Sequence, residues 1–225
     1  MLKKKKLLQQ LFDFQLESRG SLKNINYNYT NKKIVLNKKE FFVLNNSKNF
    51  YNFSKALFVL DSVLKKRGTV LFVGGDERSS VYIKNLALLN NQPYIVSKWV
   101  SGFLSNFEQV FPSIYNTIKK IKRKNAFSMR KRKTFLRFLK GLANLKKLPD
   151  LVVVFDVEKN QKVIKEASLR NIPVIGFSKI DSNFRGVAYP VVLNLSKKKT
   201  LLFFKIISLV LTKYKNKTNE KRKAI

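Results

Sequence analysis

The chain has 225 residues, 44% of them hydrophobic, an ordinary globular composition and length enough for one buried core. Its 47 Lys and Arg against 13 Asp and Glu give a formal net charge of +34, which repels itself until a polyanion neutralises it, so nucleic acid is the first partner to consider and an anionic membrane surface the second. With no Cys and no His, disulfides, thiolate nucleophiles, Cys- or His-built metal sites and the commonest general base are all excluded.

In chain order, residues from about Lys3 to Ser18 predict a helix, with Leu7, Leu8, Leu11, Phe12 and Leu16 at helical spacing. It is basic and amphipathic like a transit peptide. However, it is Lys-rich and carries Asp13 and Glu17, so it reads as a first helix of the mature protein. After an Asn/Tyr-rich loop, Ile34–Leu36 and Phe41–Leu44 read as strands of a hairpin or an irregular arm.

From Ser47 the periodicity is cleaner. Phe50, Phe53, Leu57, Leu60 and Leu64 mark one face of a helix that stops before Gly68. TVLFV (Thr69 to Val73) is a continuous run of the kind buried on both sheet faces. Gly74-Gly75 turns the chain into a helix from about Asp76 to Asn90, with Val81, Ile83, Leu86 and Leu89 apolar, and Tyr94–Val96 follows as a short strand. LVVVF (Leu151 to Phe155), a helix from about Lys159 to Arg170, PVIGF (Pro173 to Phe177), a strand near Tyr189–Leu193 and an apolar helix from Leu201 to Tyr214 repeat the logic. Strands alternating with helices imply βαβ units, a parallel sheet and right-handed crossovers. No charge-free apolar stretch reaches the roughly 18 residues needed to span a bilayer, since Lys205 and Lys213 interrupt the best candidate.

Between the halves, Ser113 to Lys147 holds 13 basic residues and no acidic one. A loose helical rhythm of apolar residues there, from Ile114 to Leu142, predicts a basic helical hairpin inserted into the α/β body. The resulting division is an N-terminal helix and arm at 1–46, body halves at 47–112 and 148–213, the insertion at 113–147 and a basic tail at 214–225.

Two features invite an enzymatic reading. VLFVGGDERSS places a glycine turn where a nucleotide-binding fold holds phosphate, but it lacks both the spaced G-x-G-x-x-G and the lysine-bearing P-loop. Asp156 ends a buried strand, with Asp150, Glu158 and Asp181 imaginable nearby. Without His or paired-carboxylate spacing, a polar strand end or a helix cap is the simpler reading. Ser79 and Ser80 have no base to activate them. The insertion is different in kind: Arg123, Arg130, Arg132 and Arg137 are suited to bidentate phosphate contacts and the lysines to point charges. Phe127 and Phe135 either stack on splayed bases or anchor the insertion to the body.

KWVSGFLSNF (Lys98 to Phe107) resembles the Arg-Trp-Leu-Gly-Gly-x-Leu-Thr-Asn signature of the universal small-subunit ribosomal protein two family. VLFVGGDERSS and NQPYIVSKWV resemble the strands leading to it. LPDLVVVFDVEKNQKVIKEASLRNIPVIGF (Leu148 to Phe177) resembles the family's second half, so the likeness runs from about Asn37 to Leu211. It implies a flavodoxin-like three-layer α/β fold, with a parallel five-stranded sheet, an inserted basic helical hairpin and an N-terminal helical arm. It also implies a non-catalytic constituent of a small ribosomal subunit, bound to small-subunit rRNA and to neighbouring small-subunit proteins, with no cofactor, metal or small-molecule substrate. Trp99, Gly102, Leu104 and Asn106 correspond to signature positions: Trp99 and Leu104 to pack the loop, Gly102 to turn it closely, Asn106 to cap or bond backbone.

There are departures. Ser101 stands where the first signature glycine is expected, the family's His-Phe-Gly-His loop has no counterpart, and SKIDSNFRG stands for an Asp-Thr-Asn stretch. Lysine (37) far exceeds arginine (10), and Asn, Phe, Ile and Tyr are plentiful, a bias of AT-rich genomes and a genetic rather than a physical inference. Together these fit an organellar ribosome, first a mitochondrial one in the matrix, otherwise another organelle or the cytoplasm of an AT-rich bacterium. RNA contacts are expected at Lys3, Lys4, Lys5, Lys6, Lys98, Lys119, Lys120, Lys122, Arg123, Lys124, Arg130, Lys131, Arg132, Lys133 and Arg137. The rival readings are a nucleotide-binding α/β enzyme using Gly74, Gly75 and Asp156, and a basic peripheral membrane protein using the helix Leu201 to Tyr214.

Overall fold

Five apolar runs lie side by side in one parallel sheet, and their burial follows from their composition. The computed structural model describes residues 30–36, 39–44, 46–74, 77–123, 141–179, 182–193 and 203–213. Near the start, β1 (Thr30–Leu36) and β2 (Lys39–Leu44) pair antiparallel, with Ile34 opposite Phe41 and Val35 opposite Glu40, so the two short apolar runs do form a hairpin. The helix expected at 3–18 lies outside the described residues.

The body runs α1 (Asn46–Lys65), β3 (Val70–Gly74), α2 (Glu77–Leu89), β4 (Tyr94–Ile95), α3 (Phe107–Arg123), β5 (Leu151–Phe155), α4 (Gln161–Leu169), β6 (Val174–Ser178), β7 (Tyr189–Val192) and α5 (residues 203–213). The strand order is β4-β3-β5-β6-β7, every pair parallel. Counted within the body this is 2-1-3-4-5, the flavodoxin-like doubly wound order. Every residue of β3, β5 and β6 is buried, because helices cover both faces.

The pleat divides these strands between two cores. Val70, Phe72, Leu151, Val153, Phe155, Ile175 and Phe177 face one side, with Phe53, Ala56, Leu60 and Leu64 of α1, Ile83 and Leu86 of α2, and the apolar face of α5. Leu71, Val73, Val152, Val154 and Val174 face the other, with Phe103, Leu104, Phe107, Ile114, Leu142 and the Val163, Ile164 and Ala167 stripe of α4. Three helices end alike on the way into a strand. Arg67, Asn91 and Asn171 take positive φ (59, 53 and 55°), and Gly68 N–H, Gln92 N–H and Ile172 N–H reach back to the carbonyls of Val63, Ala87 and Ala167, satisfying last-turn acceptors.

Both sheet edges are closed. Asn49, fully buried on α1, donates Nδ2 to Val192 O (2.6 Å) and accepts Val192 N–H on Oδ1 (2.9 Å). It therefore substitutes for a further strand beside β7, where Pro190 has no N–H to offer. On the opposite edge the chain returns against β4 so closely that a Cβ on Gly141 would lie 2.0 Å from Tyr94 O.

Several expectations shift. Val81 does not join the buried face of α2 but is 60% exposed, since the inward arc is Ile83, Leu86 and Ala87. On α1, Phe50 and Leu57 are only partly buried, while the small Ala56 sits against the sheet. Helix α3 starts at Phe107 and crosses position 113 unbroken, with Pro112 inside it. Its first turns therefore pack on the body while its far end enters the expected insertion.

The apolar helix of the membrane reading is spent on the core. Phe203, Phe204, Ile206, Ile207, Val210 and Leu211 all lie in the core, and no described helix is long and apolar enough to cross a bilayer. The glycine turn has a packing cause: a Cβ on Gly74 would stand 2.1 Å from Ile83 Cδ1, so glycine here lets α2 sit down on β3. Gly75 and Asp76 lie outside the described residues.

Candidate functional site

The signature-like loop, residues 98–106, leaves the end of β4 and crosses α4 before entering α3. Apolar spacing explains how it is seated. Leu104 and Phe103 are fully buried and Phe107 nearly so, and Trp99, Phe103, Phe107 and Phe111 recur every four residues as a run of touching rings. Trp99 meets Phe103 edge-on at 5.5 Å, Phe103 meets Phe107 edge-on at 5.9 Å, and Phe107 stacks on Phe111 at 4.8 Å.

Two side chains, Glu166 on α4 and Arg170 just past its last residue, hold the backbone of this loop. Glu166, 8% exposed, accepts Trp99 Nε1–H (3.0 Å) and Gly102 N–H (2.8 Å) on Oε1 and Leu104 N–H (2.9 Å) on Oε2. A buried carboxylate is tolerable only when its acceptor capacity is filled this way. Arg170 does the converse, donating Nε to Leu104 O (3.2 Å) and Ser105 O (3.0 Å) and Nη2 to Ser105 O. Its Nη1 also lies 3.9 Å from Glu108 Oε1. The acid takes the loop's donors and the base takes its acceptors. Neither residue was singled out from sequence.

Gly102 has φ +87°, and its carbonyl accepts Asn106 N–H at 2.9 Å. Ser101 is not among the described residues of positive φ, so the left-handed bend is made at Gly102 alone. The carbonyl of Asn106 accepts Gln109 and Val110 N–H, which starts α3. Trp99 and Leu104 thus pack the loop, Gly102 turns it and Asn106 opens the helix. What faces solvent is Lys98, Val100, Ser101, Asn106, Glu108 and Gln109.

The other expected contacts divide by position. Lys119, Lys120, Lys122 and Arg123 belong to the last turns of α3, though their side chains lie outside the description. Lys3, Lys4, Lys5, Lys6, Lys124, Arg130, Lys131, Arg132, Lys133 and Arg137 lie outside the described residues altogether.

Asp181 lies outside the described residues, and the described acids do not converge. Asp156, at φ 65°, pairs with Lys159 Nζ (3.0 Å) and accepts Lys159 N–H, whereas Asp150 sits at the opposite end of β5 on Thr69 N–H (2.7 Å). Asn160 donates to the carbonyls of Phe155 and Asp156 and closes that turn. In the segment standing for Asp-Thr-Asn, the buried Ser178 and Ser182 hydroxyls bond each other at 2.7 Å. Among the described residues no group of three or more His, Cys, Asp or Glu could hold a metal. The arrangement can present a fixed polar loop and a basic helix.

Residues 20–213 match the family model described as ribosomal protein S2. The chain is similar to "Small ribosomal subunit protein uS2" of Ehrlichia ruminantium (strain Gardel), 31% identical over 178 residues, which is 74% of this chain and 62% of that protein. It is similar to the protein of that name from Ehrlichia canis (strain Jake), 33% identical over 165 residues, 68% of this chain and 57% of that protein. It also resembles the one from Colwellia psychrerythraea, 32% identical over 151 residues, with 62% of each chain covered. The chain therefore spans about three-fifths of the length of these curated relatives.

Proposed function

Since the chain belongs to the ribosomal protein S2 family, we propose that it is a structural, non-catalytic constituent of a small ribosomal subunit, bound to small-subunit rRNA and to neighbouring small-subunit proteins. The observation that carries this reading is the family match itself, which spans the α/β body and the loop held by Glu166 and Arg170. The family is one of structural proteins, and the chain holds no histidine and no cysteine.

Charge supports the RNA part. A net charge of +34 suits phosphate contacts whose formation releases counterions, a sequence-independent attraction that weakens steeply with salt. Helix α3 leads from the signature-like loop into the basic stretch, so one continuous element joins the body to Lys119, Lys120, Lys122 and Arg123. A nucleotide-binding enzyme is the weaker reading, because the close approach of Ile83 accounts for Gly74 and Lys159 for Asp156.

The finer address we propose is a mitochondrial ribosome. Its support is compositional: lysine far above arginine and plentiful Asn, Phe, Ile and Tyr. The relatives named above are bacterial, which fits an organelle of bacterial descent and equally an AT-rich bacterium.

Reversing the charge at Arg130, Lys131, Arg132 and Lys133 tests the RNA assignment. Affinity for a small-subunit rRNA transcript should fall, and the slope of log K against log salt should shrink by about one for each phosphate left without its cation, while the melting temperature of the body stays put. Unchanged affinity and slope would move the RNA site elsewhere.

A further inference from the structure

Two basic turns far apart in sequence become neighbours at the amino-terminal end of the central strands. Helix α1 ends at Lys65, and exposed Lys66 and Arg67 lead into β3, while exposed Lys146 and Lys147 lead into β5. β3 and β5 pair from Val70 with Leu151 onward, and paired strands lie only about 4.8 Å apart. The turns are also tied directly: Asp150 N–H donates to Thr69 O (2.8 Å) and Thr69 N–H to Asp150 Oδ2 (2.7 Å).

The turns are held by backbone hydrogen bonds, and Asp150 offsets only one of their five cations. Arg67 N–H and Gly68 N–H bond the carbonyls of Leu64 and Val63 at 3.0 and 2.8 Å. A Cβ on Gly68 would fall 2.6 Å from Val63 Cγ1 and 3.2 Å from Asp150 Oδ2, so the turn packs tightly on its neighbour. The single acid, Asp150, is already committed to Thr69 N–H and to Lys147 Nζ (3.0 Å). Among the described residues no carboxylate pairs with Lys65, Lys66, Arg67 or Lys146.

We propose that this pole, where Lys65, Lys66 and Arg67 meet Lys146 and Lys147 at the very end of the 113–147 stretch, is a second surface for an RNA phosphodiester backbone, distinct from the Lys119–Arg137 cluster and the chain ends. The inference rests on the rRNA reading above and adds an address to it. Hydrogen-bonded turns hold the backbone of these cations in place, so only side-chain freedom is given up on meeting phosphates, and Arg67 adds a two-pronged donor. An anionic membrane is the less suitable partner, because surface binding there combines charge with inserted apolar side chains. In these turns Leu145 and Pro149 are buried and Leu148 is half-buried.

The test compares the full chain with a variant carrying Lys65→Gln, Lys66→Gln, Arg67→Gln and Lys146→Gln. A control carries four neutralisations on exposed helix positions, Lys84→Gln, Lys162→Gln, Lys165→Gln and Lys205→Gln. Each is titrated with a small-subunit rRNA transcript between about 50 and 200 mM salt. The pole variant should lose about tenfold or more in affinity and reduce the salt slope by about 2 to 4, and the control should lose clearly less. Circular dichroism checks folding, and the double variant Lys65→Gln, Lys146→Gln, expected to reduce the slope by about 2, replaces the quadruple one if that fails to fold. Equal losses in variant and control, or no loss in either, overturn the pole while leaving the rRNA reading intact. Failure of the wild-type chain to bind the transcript overturns both. Loss of binding to anionic phosphatidylglycerol vesicles with RNA binding unchanged would assign the surface to a membrane instead.

Discussion

Replacing Glu166 separates a carboxylate that organises the loop from one that is merely buried near it. In Glu166→Gln the single amide oxygen can keep Trp99 and Gly102, but the amide nitrogen then faces Leu104 N–H, a donor against a donor. One charge-assisted bond worth roughly 1.5–3 kcal/mol is lost and two become neutral bonds of about 0.5–1.5 kcal/mol. Relief from burying a charge returns part of this. The net cost is about 2 kcal/mol, or a melting temperature about 4–8 °C lower for a domain of this size. Glu166→Ala leaves all three donors without the carboxylate, Leu104 N–H deep in the core, and should cost about 4 kcal/mol. Thermal melts measure the loss, and Trp99, the only tryptophan, reports locally by fluorescence, with its emission moving to longer wavelength as the loop loosens. A Gln variant that melts within about 1 °C of wild type, with Trp99 emission unchanged, would falsify the claim that this carboxylate holds the loop.

Two further substitutions probe how the body is closed. Gly74→Ala should destabilise by about 1–3 kcal/mol through overpacking against Ile83 Cδ1. Ile83→Val removes that atom and should recover much of the loss in the double variant, a coupling read from a double-mutant cycle by denaturant unfolding; additive losses would show that the two do not collide. Asn49→Leu removes both bonds to Val192 and should cost about 2 kcal/mol and make the β7 edge aggregation-prone, measured by urea unfolding and light scattering. A neutral effect on both would mean that the edge is protected by other means.

The sheet was legible because its strands are continuous apolar runs between glycine, proline and asparagine punctuation. TVLFV, LVVVF and PVIGF all fall where buried parallel strands occur. The loop was legible as a motif, and its Gly102 bend and Leu104 burial agree with that. Its anchors were not. A glutamate and an arginine on a helix ordinarily face water, and only phase gives them away: Glu166 lies three residues after the buried Val163 and next to buried Ala167, on the inward arc. Asn49, one turn before Phe53, carries the same signal. Val81 is apolar yet exposed, because alternate apolar residues in a short helix cannot all lie on one face. The basic pole is not visible as local charge density, because β3–β5 pairing brings together residues some 81 positions apart.

Sedimentation of the native protein through a gradient tests the central claim most directly. It should migrate with the small ribosomal subunit, of mitochondria if the finer address holds, and leave that position after nuclease treatment or in high salt, which weakens phosphate contacts steeply. A chain that stays at the top of the gradient in low salt, or remains in a large particle after its RNA has been digested, would contradict it.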